Sequence, residues 1–272
     1  MKRNRIEAGW HAVLPLLIYL ILFITIRSVL MELTGKAAVI FSYDALPDYP
    51  VWYTAAQTAV IGIASAGAAL PLLREGKRAV MTLRAGSMSA FIARRRDSRF
   101  LMGILPIGTV CLSALLNLLL SESGPAASVA ASYAALPLEA AVYGILTPFT
   151  EELVYRGIVW YRLRKSFPAL QAALLSSLLF GIAHADLRQG TYAFVMGIVF
   201  SLSYELTRRF EVPFLLHALC NLAVLAAAYA GWGEVLRSPM WIVFFAVTAS
   251  AVFAYWRIRF ERTKGERTKH KQ

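Results

Sequence analysis

Eight stretches of about twenty mostly apolar residues, the length that crosses a bilayer, dominate this sequence. They lie near 11–30, 51–73, 100–120, 126–149, 168–185, 191–207, 212–230 and 239–256. A chain built this way has one architecture open to it. In lipid every backbone polar group must be satisfied within the chain, so apolar runs of this length become helices packed into a bundle. Composition agrees. Of 272 residues, 58% are hydrophobic and 16% charged, against about 45–50% and about 25% in soluble domains. Too little polar surface remains to cover a water-soluble body, and the apolar content excludes disorder. The expected fold is all-α: a polytopic transmembrane bundle of about eight helices in a single integral domain, 1–272.

The net charge is +12. On a soluble module this would point to nucleic acid, but here the basic residues fall between spans. With the N-terminus inside, segments 1–10, 74–99, 151–166, 208–211 and 257–272 hold 24 of the 28 Lys and Arg. This split predicts two cytoplasmic termini and no nucleic-acid partner. The 74–99 segment reads as a loop against anionic headgroups, and 257–272 as a flexible basic cytoplasmic tail. The basic start before the first run raises a signal peptide; the run is long for one and no small-residue cleavage site follows, so a retained helix is expected. Cys111 and Cys220 lie in apolar runs without metal spacing and read as small core residues.

Ionisable residues inside spans are costly and mark function by default. Four groups qualify: three motifs, all in the second half (126–256), and a scatter of single residues; residues 1–125 carry no motif. In Glu151-Glu152-Leu-Val-Tyr-Arg156, Glu152 and Arg156 are four apart and share a helix face. That pairing leaves Glu151 about 100° away around the helix as a free carboxylate suited to general acid or base work. The plainer alternative is an ordinary ion pair at a helix end. In Phe180-Gly-Ile-Ala-His184 an aromatic ring lies one turn from an imidazole, an arrangement that is also common in purely structural histidines. In His217-Ala-Leu-Cys-Asn221 both polar side chains face the bundle, where they could equally be interhelical glue. Glu139, Glu205 and Arg27 receive no catalytic role; Glu205 is placed to pair with Arg208 or Arg209. There is no H-E-x-x-H, no G-x-S-x-G, no Gly-x-Gly-Asp, no P-loop and no dinucleotide fingerprint.

The order E-E-x-x-x-R, F-x-x-x-H, H-x-x-x-N on separate helices resembles the CPBP family of CAAX-processing and bacteriocin-processing intramembrane proteases, also called Abi proteins. The resemblance spans roughly 137–230 and implies a glutamate-dependent peptidase with its site inside a bacterial cytoplasmic membrane, open to the cytoplasmic side. Carried across, Glu151 activates the attacking water and His184 helps hold it. His217 and Asn221 stabilise the oxyanion, while Glu152, Arg156 and Phe180 give support. The implied partners are membrane lipids and a peptide or membrane-protein substrate. No cofactor is favoured. A zinc version would draw on Glu151, His184 and His217, which match a catalytic zinc set in type, although Asn221 fits oxyanion stabilisation better. A non-catalytic membrane partner or bacteriocin-immunity protein is the competing reading. A transporter is weakened by the lack of an internal repeat.

One geometric demand follows. Glu151 lies fourteen residues before Lys165 and His217 only eight after Arg209, about 21 Å and 12 Å of helix. Straight parallel helices ending at one level would not bring them together, and the fourth helix must run through the motif into the 160s.

Overall fold

The computed structural model describes residues 5–40, 49–93, 95–120 and 135–269. Among the described residues every regular element is helical. The chain opens with α1 (Arg5–Ile40), α2 (Tyr49–Ala69) and α3 (Leu73–Ala93), the last two joined by a short 3-10 turn at Leu70–Leu72. Next come α4 (Arg95–Leu120) and a composite rod. The rod is α5 (Leu136–Ala141), a π segment Val142–Leu146, α6 (Thr147–Glu152), a second π segment Leu153–Trp160, and α7 (Tyr161–Arg164). It is followed by α8 (Ala169–Ile182), α9 (Leu187–Thr207), α10 (Glu211–Tyr229), α11 (Gly233–Leu236) and α12 (Pro239–Lys269). Within the described residues four helical stretches are long and apolar enough to cross a membrane: Gly9–Ile40, Val51–Leu83, Gly103–Leu120 and Glu211–Tyr229. Ala169–Ile182 and Pro239–Tyr255 are shorter apolar helices.

Three sequence expectations change. The fourth run does not end at Phe149. It continues unbroken to Arg164, as the depth argument required, and its expected start at 126–134 lies outside the described residues. The segment 74–99 is not a loop, because its described part is helical in α3 and the start of α4. The tail from Arg257 is helical through Lys269; its stretch is rich in Arg, Lys and Glu and free of Pro, so nothing breaks the helix inherited from the apolar run. Residues 270–272 lie outside the description. Cys111 and Cys220 are buried free thiols, as expected.

Pro148 accounts for the first π segment. Proline has no N–H and its ring crowds the carbonyl four residues back. The helix widens there, with the Thr147 amide reaching five residues back to the Val142 carbonyl. The rod runs antiparallel to α10: Tyr143 meets Asn221, and Phe149 packs edge-on against Phe210 and Phe214 at 5.8 and 5.7 Å. All eight residues of Leu153–Trp160 are buried. Five of them, Val154, Tyr155, Ile158, Val159 and Trp160, form the main core with Ala12, Leu16 and Tyr19 of α1 and Ala172 and Phe180 of α8. A second cluster joins Leu105 of α4, Met196 and Phe200 of α9, and Leu216 and Cys220 of α10.

The α9–α10 connection is fastened to the rod. Glu205, near the end of α9, pairs with Arg164 at the end of the rod at 3.0 Å and with Arg208 at 2.5 Å. Arg208 then lies over the Trp160 ring at 5.9 Å. These contacts tie the α9–α10 turn to the last turns of the rod, and from there α10 carries His217 to within 3.7 Å of Glu151.

α8 and α9 cross at two glycines. A methyl group on Gly190 would stand 2.8 Å from the Gly181 carbonyl oxygen, and one on Gly181 would stand 2.7 Å from that of Gly190. This crossing sets where His184 leaves α8. Gly190→Ala should push the two backbones apart and cost about 1–3 kcal/mol, seen as a lower Tm of the detergent-solubilised protein. An unchanged Tm would contradict the close crossing.

Candidate active site

The site is built around a buried charge pair. Glu152 and Arg156 both have 0% exposure, and the Arg156 Nη1 donates to Glu152 Oε1 at 2.7 Å. The i,i+4 spacing gave this pair in advance. Arg156 Nη2 donates to the Gly197 carbonyl oxygen at 3.1 Å. The absence of a side chain on Gly197 is what admits the guanidinium to that backbone. Its flat face lies over the rings of Phe180 and Phe200, at 4.7 and 5.4 Å from their centroids. An arginine in an apolar interior is tolerable only with such a set of partners.

The pair is longer by one residue than its spacing indicated. His217 Nδ1 donates to the same Glu152 Oε1 at 2.9 Å, and the opposite edge of the ring presents Nε2 to Glu151 Oε2 at 3.7 Å. Glu152 is therefore not spent on Arg156 alone. Because an imidazole has nitrogens on two edges, one ring spans the two neighbouring carboxylates although they diverge around the helix. Phe200 stacks on the ring at 4.9 Å and 22°, and Phe180 meets it edge-on at 5.9 Å. Bracketed this way, His217 has one orientation. Glu151 differs from Glu152 in access: its side chain is 18% exposed against 0%, so it is the carboxylate that a small molecule can reach.

His184 follows the last turn of α8. Its Nδ1 donates to the Phe180 carbonyl oxygen at 2.8 Å, leaving Nε2 open, and its ring stands edge-on to Phe180 at 4.8 Å. Just beyond His184 the chain turns through Ala185 at φ 57° into α9, where the Asp186 carboxylate accepts the Gln189 amide at 2.8 Å.

Asn221 has a specific structural task. Its Nδ2 donates to the Tyr143 carbonyl oxygen at 2.9 Å. In the π segment the Thr147 amide is taken by Val142, and the residue five beyond Tyr143 is Pro148, which has no N–H. The Tyr143 carbonyl thus has no helical donor, and Asn221 supplies one from α10. The second amide hydrogen of Nδ2 remains available.

The structure thus gathers Glu151, Glu152, Arg156, Phe180 and His217 into one contact network and sets His184 and Asn221 at its edge. Glu139, excluded from the site, accepts from the Tyr229 hydroxyl at 2.7 Å. Gly197 and Phe200 on α9 were not foreseen; a Gly and a Phe in an apolar run carry no signal of their own. Tyr19 of α1 and Tyr155 were missed for the same reason; Tyr155 packs edge-on against Phe180 at 4.8 Å, and Tyr19 lies in the same buried cluster. Tyr19 brings the motif-free first half of the chain to the site. Among the described residues no three His, Cys, Asp or Glu side chains converge as a metal-ligand group.

Comparison with known proteins bears on this segment. Residues 133–223 match the family model described as Type II CAAX prenyl endopeptidase Rce1-like. That segment contains all seven motif residues, and the resemblance read from them is borne out. Two relatives agree. "Putative membrane peptidase YdiL" of Bacillus subtilis is 37% identical over 87 residues, 32% of this chain and 36% of the relative. The membrane-embedded CAAX protease MroQ of Staphylococcus aureus is 33% identical over 92 residues, 32% of this chain and 37% of the relative. The chain thus spans little more than a third of the length of these curated relatives. No solved structure matches it significantly. The Rce1-like segment corresponds to the rod, α8, α9 and most of α10, the elements that build the network above.

Breaking the buried pair one partner at a time gives a distinctive result. Arg156→Met should strand the Glu152 carboxylate and cost about 3–5 kcal/mol, read as a fall in Tm or in the denaturant midpoint. Adding Glu152→Gln should restore part of that loss. Strictly additive losses would contradict the coupling.

Proposed function

We propose that this chain is an intramembrane endopeptidase that hydrolyses a peptide bond of a membrane-associated peptide or protein by a metal-independent, glutamate-dependent route. The observation that carries the reading is the placement of Glu151: a partly accessible carboxylate 3.7 Å from the open edge of a fixed imidazole, inside a segment that is Rce1-like.

In this mechanism Glu151 takes a proton from a water molecule, and His184 orients that water through its open Nε2. The oxygen adds to the scissile carbonyl carbon. Negative charge then grows on the carbonyl oxygen, where preorganised donors are worth most in a poorly solvated site. His217 Nε2 and the second Nδ2 hydrogen of Asn221 are the donors. Donation from Nε2 needs hydrogen on both ring nitrogens, and the flanking carboxylates Glu151 and Glu152 offset the resulting charge. Collapse of the tetrahedral intermediate breaks the C–N bond, and Glu151 returns its proton to the leaving amine. Glu152 and Arg156 hold His217 rather than touch substrate. The concentration of Lys and Arg in alternate segments supports a cytoplasmic opening and two cytoplasmic termini, in a bacterial cytoplasmic membrane as the two relatives suggest.

The test is cleavage of a transmembrane or prenylated peptide by the purified chain in vesicles. Glu151→Gln should lower kcat by at least about 10²-fold, within the range of a positioned acid–base group, at unchanged Tm. Chelators should leave the native rate intact. Full activity in Glu151→Gln would favour a non-catalytic membrane partner instead. Loss on chelation with recovery on added zinc would replace the metal-independent route.

A further inference from the structure

A polar cavity lies apart from Glu151, at the end of the bundle where the rod finishes. It has a volume of about 360 Å³ and is walled by α1, α3 and α7, a size within the range of small-ligand sites. Its floor is Arg162. That guanidinium is pinned by Glu75, whose Oε1 accepts from Nε at 2.7 Å, and by His11, whose Nδ1 accepts from Nη1 at 2.7 Å. One carboxylate and one imidazole from two other helices thus fix a single arginine at the base of the cavity.

Two further cations line it, and they stand differently. Arg78 of α3 and Lys165, just past α7, both border the cavity, and among the described residues neither forms an ion pair with a carboxylate. Lys165 is held in place by a neutral partner: its Nζ lies 4.3 Å over the Tyr161 ring. The wall also carries the hydroxyl-bearing side chains of Thr82, Tyr161 and Ser166. With Glu75 the one carboxylate in the lining, three cations leave a surplus of two positive charges. Planar guanidinium forks, an ammonium and neutral hydroxyls from several elements match the tetrahedral, multiply accepting shape of a phosphate group. Glu75, Arg78, Ala79 and Thr82 of the lining belong to the basic 74–99 segment, and Lys and Arg clusters of this kind are attracted by the phosphates of anionic headgroups.

We propose that this cavity, formed by Arg78, Arg162 and Lys165 with Thr82, Tyr161 and Ser166, binds a phosphate-bearing anion, supplied either by the headgroup of an anionic phospholipid or by free phosphate. Arg162 is the fixed base of the site, while Arg78 and Lys165 are the charges that the ligand neutralises. Nothing in this assignment depends on the proposed peptidase chemistry.

The test titrates the full chain in detergent with phosphatidylglycerol, phosphatidylcholine and inorganic phosphate, counting bound molecules by native mass spectrometry. The wild type should bind one phosphatidylglycerol far more tightly than phosphatidylcholine. In Arg78→Gln/Lys165→Gln that affinity should fall about 30-fold, from two cations of ordinary headgroup strength. Arg74→Gln/Lys77→Gln removes the same charge from the same region outside the cavity and should leave the affinity within about twofold. Displacement of the lipid by inorganic phosphate assigns the site to phosphate in general. Phosphate binding without lipid binding assigns it to the free anion. Equal binding of the two lipids with no phosphate bound, or equal losses in the two double variants, overturns the proposal. Tm is followed throughout; should the first double variant fail to fold, Lys165→Gln alone should weaken binding about fivefold, and an unchanged affinity there also overturns it.

Discussion

The ion pair between Glu152 and Arg156 governs this molecule, because neither group could exist where it is without the other. Both are fully buried, and an isolated charge in such surroundings is prohibitively costly. Once paired, they impose conditions on everything nearby. Arg156 needs a carbonyl, which draws the backbone of α9 in at Gly197, and it needs flat apolar faces, which Phe180 and Phe200 provide. The free lone pair on Glu152 Oε1 is taken by His217 from α10. One pair on the rod thereby fixes α8, α9 and α10 around itself and turns the far edge of His217 toward Glu151. The helices that carry the motifs converge because a single charged pair must be satisfied from three sides.

Much of this was legible from residue spacing, and for identifiable reasons. Apolar run length follows from bilayer thickness, so the helical elements could be placed near their observed positions without knowing any contact. The Glu152–Arg156 pair follows from helical periodicity, and so does the placement of Phe180 below His184. What spacing could not convey was register across helices. The bridging of both glutamates by His217 depends on where α10 stands against the rod, and the pairs of Glu205 with Arg164 and Arg208 that fasten the α9–α10 turn there are not visible in spacing. The acceptor of Asn221 depends on a π segment provoked by Pro148, and a helical wheel assumes that such widening is absent. Gly197, Phe200 and Tyr19 act only by where they stand, and their residue types gave no indication of it.

The polar groups divide by exposure into tasks. Glu152 and Arg156 are sealed and serve orientation, while Glu151 is partly open and suited to chemistry. At the other end of the rod, Arg162 is pinned while Arg78 and Lys165 are left with surplus charge. The same economy operates at both sites. A charge already committed to protein partners builds the site, and the charge left facing open space defines what the site can take.

The orientation of His217 is the hinge of this account, and it can be observed directly. Nitrogen-15 NMR of histidine-labelled protein in lipid bilayers distinguishes protonated from bare ring nitrogens. His217 Nδ1 should carry a hydrogen, with the shift of a strong hydrogen bond that is altered by Glu152→Gln. A bare Nδ1 on His217, or a spectrum indifferent to Glu152→Gln, would contradict it.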